Sequence, residues 1–196
     1  MKPANSMEDL MDILLLTVPL VLSAIILVPA VVSDLLYRRI PNILCLTGLL
    51  AGIFFHGVTA GITGFSMSLL AGVMLMGATF SFFATGWLGA GDVKLLAAAG
   101  AIGGSPGTAF DILLAVVSIG AIAAFASLIW RDRLRDFSAR LASSSVLQMI
   151  NKNFILSSTP VRSEAKGFPY ALAIAGGTFL VLALNAAGIS RGSLLL

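Results

Sequence analysis

Six apolar stretches, at 14–32, 43–61, 65–87, 93–103, 112–130 and 168–189, take up most of this chain. A helix needs about 20 residues, at ~1.5 Å each, to cross ~30 Å of hydrocarbon. Five stretches reach that length and 93–103 does not. Inside a bilayer the backbone must satisfy its own hydrogen bonds, which leaves helices for a pattern of this kind. The expected fold is therefore all-α, a polytopic membrane bundle of about six transmembrane helices forming one domain over 1–196. Composition closes off the alternatives: of 196 residues, 58% are hydrophobic and 11% charged, against roughly 25% charged in a soluble domain. So few charges cannot cover so much apolar surface in water. A soluble globular enzyme, a disordered chain and a disulfide scaffold are excluded.

The acids Glu8, Asp9 and Asp12 precede the first stretch and Lys2 is the only early cation, so that stretch reads as a retained helix and not a cleaved signal. With six spans, ten of the twelve basic residues fall on one side: Arg38, Arg39, Lys94, Arg131, Arg133, Arg135, Arg140, Lys152, Arg162 and Lys166. The positive-inside rule puts that side in the cytoplasm and both termini in the periplasm. The net charge of +3 is thereby explained by span flanks, and no nucleic-acid partner is expected. The polar segment 131–167 reads as a cytoplasmic basic loop, with serine runs at 143–145 and 157–158 as linker punctuation. Helical spacing of Leu134, Phe137 and Leu141 gives the alternative of an amphipathic surface helix.

On this topology Asp34 and Asp92 share one membrane level. Asp34 ends the first helix and has Arg38 four residues on, which by itself makes a modest surface ion pair. Pro41 is the expected stop after it. Asp92 precedes an apolar helix too short to cross unless it borrows residues 87–94, which brings the carboxylate to the edge of the hydrocarbon. The ordinary reading is an N-cap. That reading does not need Gly89 and Gly91, which strip side chains from around the carboxylate and let an extended peptide come close. Two facing carboxylates do not both ionise easily: one holds a proton while the other acts as base on a water. Such chemistry needs no metal, cofactor or separate nucleophile. Cys45 and His56 are each the single residue of their kind, so neither a disulfide, a cysteine zinc site nor a cysteine–histidine dyad is expected, and His56 reads as a packed or interfacial histidine.

Asp34-x-x-x-Arg38-x-Ile40-Pro41-Asn42, followed by Gly89-x-Gly91-Asp92-x-Lys94 and by Gly167-Phe168-Pro169-Tyr170 before the last helix, resembles the type IV prepilin peptidases, membrane aspartic proteases of the GxGD type. Presenilin-like proteases also carry Gly-x-Gly-Asp but lack the Arg-x-Ile-Pro-Asn element. The resemblance implies removal of a short basic leader from pilin-like precursors at the cytoplasmic face of a bacterial inner membrane. The partners it implies are the prepilin leader and the lipid bilayer. Asp34 and Asp92 match the two catalytic aspartates, and Gly89, Gly91, Lys94, Arg38, Pro41 and Asn42 match supporting motif positions. Longer members carry a four-cysteine zinc domain and also N-methylate the trimmed pilin. With one cysteine, this chain resembles the short form of tight-adherence (Flp pilus) systems, and methylation is not expected.

Two rival readings use the same residues. A small transporter or channel would place Asp34 and Asp92 on a proton or cation path, but both acids lie at one face, and Asp111 is the main acid at the other. A non-catalytic assembly subunit would leave Asp34 paired and Asp92 as a cap. The small-residue stretches 97–104 and 121–126 read as helix-packing faces. Trp87, Trp130, Tyr37 and Tyr170 read as interfacial markers.

Overall fold

The structure, a computed structural model, describes residues 7–86, 88–130 and 170–187. Trp87 and the 131–167 loop lie outside the described residues. Regular structure among those described is helical throughout: α1 (Met7–Tyr37), α2 (Asn42–Ala84), α3 (Ala90–Gly103), α4 (Pro106–Trp130) and α5 (Tyr170–Ala186). Contacts divide the chain into two units, Met1–Gly120 with Pro169–Leu196, and Ala121–Phe168. α4 begins in the first unit and runs into the second, whose described part, 121–130, is helical.

Three of these helices have the length and apolarity to cross a membrane, over Leu16–Tyr37, Asn42–Ala84 and Pro106–Ala126, and α5 is a shorter apolar helix. Phe54, Val58 and Ile62 are 73%, 69% and 82% exposed. Large apolar side chains turned outward along a helix suit lipid and not water, and the chain is a membrane protein.

α1 is longer than the expected 14–32 and contains Pro19 and Pro29. It stops because Arg38 adopts a left-handed backbone, φ +53°, a conformation that ends a helix. The expected stop, Pro41, instead opens α2 as its N-cap, with φ −62° and ψ 128°.

α2 contains two of the expected apolar stretches and is broken at Ala60 and Gly61, where Gly61 has φ +63° and ψ −147°. Only glycine takes that backbone without penalty. The chain folds back there. A Cβ on Gly72 would lie 3.1 Å from Leu49 Cδ1, although a straight helix would separate residues 49 and 72 by about 35 Å. His56 and Ser68, on opposite sides of the break, reach successive carbonyls at the end of α3: His56 Nε2 lies 3.0 Å from Ile102 O, and Ser68 Oγ donates to Ala101 O at 2.8 Å. The arms 42–59 and 62–84 therefore run side by side against α3.

α3 is the centre of the first unit. Val93 and residues 95–102 are buried, and α1, α2 and α5 all pack on it. Its alanines and glycines let backbones meet: a Cβ on Gly52 would lie 2.7 Å from Ala101 C, and one on Gly100 would lie 2.8 Å from Ala71 O. The packing role expected for 97–104 is thus realised over 97–102, while 121–126 belongs to the second unit and is exposed or half-buried. Leu75, Leu95, Ile112 and Ile174 complete the core. The buried hydroxyls of Ser23, Thr79 and Thr178 each bond a carbonyl of their own helix, which costs nothing in unpaired polar groups.

α3 ends in the run Gly103-Gly104-Ser105-Pro106-Gly107, a turn signal by residue type. Gly104 is left-handed at φ +75°, and its N–H reaches back to Gly100 O and Ala101 O at 3.2 Å each. Pro106 starts α4.

Candidate active site

Asp34 sits in the last turn of α1. Its carbonyl accepts the Arg38 N–H at 2.9 Å, and the Ser33 hydroxyl donates to Arg39 O at 2.7 Å. These two bonds draw residues 33–39 into one tight turn. Ile40 and Pro41 then lead directly into α2.

Asp92 lies in the first turn of α3, outside the three helices long enough to cross. It is not the N-cap that its ordinary reading supposes. Gly89 takes that position, with φ −74° and ψ 149°, and Asp92, three residues on, accepts the Gly89 N–H on Oδ2 at 3.3 Å. This is the acidic half of a capping box. Glycine has no side chain to supply the other half. The helix starts three residues earlier than an Asp92 cap would require.

The two motifs come together through three contacts. The Lys94 ammonium donates to Asn42 Oδ1 at 3.0 Å. A Cβ on Gly91 would stand 3.2 Å from Ile40 Cβ, so the absence of a side chain there admits Ile40. The Cys45 thiol faces Gly91 O at 3.9 Å. Asn42, Gly91 and Lys94 belong to the expected set. Ile40, Cys45 and Ser33 were not in it. Ile40 was legible as part of the first motif, and Cys45 only as one helical turn beyond Asn42. Ser33 carries no sequence signal for its bond to Arg39.

Asp92 is half-buried. Two carboxyls on segments that pack together can divide the work of acid and base on a water and a carbonyl. Among the described residues, no three His, Cys, Asp or Glu side chains cluster as a metal ion would need. His56 is far from this pair along α3. It packs edge-on to Phe55 at 5.1 Å between centroids and bonds the carbonyl of Ile102 at the opposite helix end. Asp111 lies in α4, near that opposite end.

A family model described as the type IV leader peptidase family matches residues 21–125, a stretch that includes both aspartates. No curated protein and no solved structure matches the chain.

Proposed function

The chain belongs to the type IV leader peptidase family, and we propose that it is a membrane aspartic endopeptidase with Asp34 and Asp92 as its catalytic pair. One observation carries this reading: the segment that follows Asp34 packs on the first turn of α3, which holds Asp92, with Ile40 against Gly91 and the Lys94 ammonium 3.0 Å from Asn42 Oδ1.

In the proposed reaction Asp34 is the base and Asp92 the acid. Asp34 takes a proton from a water as the water oxygen bonds to the scissile carbonyl carbon. Asp92 gives its proton to the carbonyl oxygen, which leaves a gem-diol. Proton transfer to the amide nitrogen then accompanies rupture of the C–N bond, releasing an amine and a carboxylic acid. Gly89 and Gly91 leave the approach to Asp92 uncrowded. Arg38, Pro41, Asn42 and Lys94 support the geometry and do not touch the reacting atoms.

The substrate would be a pilin-like precursor of the Flp type with a short basic leader, a reading supported by the resemblance of the two aspartate motifs and by the lack of a cysteine-bearing insertion between α1 and α2. Six helical passes, namely α1, the two arms of α2, α3, α4 and α5, would form one membrane-embedded domain with both termini in the periplasm. Asp34 and Asp92 would then face the cytoplasm across the inner membrane. The basic leader would stay near anionic headgroups while the apolar precursor helix remains in the bilayer, and the 131–167 loop would lie on the same side. N-methylation is left out of the proposal, since the chain has one cysteine.

The test is co-expression of a Flp-type pilin precursor with the wild-type protein, Asp34→Ala or Asp92→Ala, following the precursor by mass at equal membrane levels of each variant. Cleavage by the wild type and its loss in both variants is the expected result. Cleavage persisting in both variants would return the aspartates to a structural or transport role.

A further inference from the structure

We infer that Asn42 and Lys94 are positioning residues for the aspartate pair: their hydrogen bond pins the start of α2 to the first turn of α3 and so sets Asp34 against Asp92. This rests on the peptidase reading above.

The bond joins residues 52 positions apart and runs from ammonium to amide oxygen at 3.0 Å. A charged donor makes it stronger and more directional than a neutral bond. Each partner is rigidly connected to one aspartate. Lys94 is two residues from Asp92, within the same helical turn of α3. Asn42 begins α2 immediately after the 33–41 turn, which the Ser33–Arg39 bond and the left-handed Arg38 make compact. A shift of Asn42 relative to Lys94 therefore moves one aspartate relative to the other.

Lys94 does not act on Asp92 directly. Residues two apart on a helix point to different sides. The Asp92 carboxylate takes the Gly89 N–H on Oδ2, while the Lys94 ammonium goes to Asn42. Ile40 against Gly91 and the Cys45 thiol against Gly91 O bring the two segments close. Both are apolar or weak contacts, which limit approach but permit sliding. The Lys94–Asn42 bond is the directional element among the three.

Both residues are exposed, and an exposed pair of this kind adds little to stability. That separates a positioning role from a structural one. Full-length protein in lipid nanodiscs would be assayed on a Flp-type precursor as wild type, Lys94→Met, Asn42→Leu, the double variant and Asn42→Asp, with melting temperatures for each. The expected result is a loss in kcat of tenfold or more for either single variant, with KM within twofold and melting temperature nearly unchanged. The double variant should be no worse than the poorer single variant, because both remove one bond. Asn42→Asp, which still accepts from the ammonium, should stay within about threefold of wild type. Should Lys94→Met fail to accumulate, Lys94→Gln, which keeps a shorter donor, takes its place and should fall between wild type and Asn42→Leu. Additive losses, a change confined to KM, or an unchanged kcat would overturn the inference. If Asp34→Ala and Asp92→Ala still cleave in the same assay, the peptidase reading falls and takes this inference with it. If they are inactive while the Lys94 and Asn42 effects add, only the inference falls.

Discussion

Gly89 and Asp92 constrain each other at the mouth of α3. The Gly89 N–H donates to Asp92 Oδ2 at 3.3 Å, and a Cβ on residue 89 would stand 3.0 Å from that same oxygen. The glycine thus orients the carboxylate and leaves it room. Gly89→Ala should push the carboxylate off its N–H partner and lower precursor cleavage by tenfold or more, while costing only about 1 kcal/mol of stability as a poorer cap. A cleavage time course together with thermal unfolding in detergent checks both halves. Normal cleavage would mean the carboxylate tolerates the crowding.

At Gly91 the neighbour is Ile40, 3.2 Å from where a Cβ would be. Gly91→Ala should therefore separate the two motifs slightly, at a cost of about 1 kcal/mol for overpacking, and reduce cleavage. Ile40→Ala placed in the same chain removes the opposing side chain and should recover part of the loss. A pair of variants whose losses simply add would show that the contact does not transmit the effect.

Glycines in α2 should divide by what stands opposite them. A Cβ on Gly52 would meet the α3 backbone at Ala101 and Ile102 2.7 Å away, whereas nothing lies within 4 Å of one on Gly77. Backbone cannot yield as a side chain can, so Gly52→Ala should cost about 2 kcal/mol or more. Gly77→Ala should be neutral or stabilise by up to about 1 kcal/mol through helix propensity. Thermal unfolding of the two variants side by side measures the contrast, and equal effects would argue against the close approach of α2 and α3.

Much of this was legible in the linear pattern, for a physical reason. Hydrocarbon demands long charge-free runs, and glycine, proline and serine mark where they end, so the helical class and the stop at Gly104 follow from residue type. Asp34 and Asp92 stood out because a carboxylate beside a membrane is expensive and needs a reason to be there. Local backbone choices were less legible. Arg38 ends α1 in a conformation that its side chain does not favour, and Asp92 serves as the third residue of a capped helix and not as its cap. Each depends on what the flanking turn is pulled toward.

By itself the sequence determined that this chain is helical, that it belongs in a membrane, and where its two aspartate motifs lie. Each of these rests on composition and short-range order. Tertiary structure decided what lies against what. It folds α2 back at Gly61 so that both arms grip α3, seats Ile40 where Gly91 has no side chain, and ties Lys94 to Asn42. Those pairings join residues tens of positions apart, and no local propensity encodes them. They arise only when close-packed glycines and alanines bring backbones into contact.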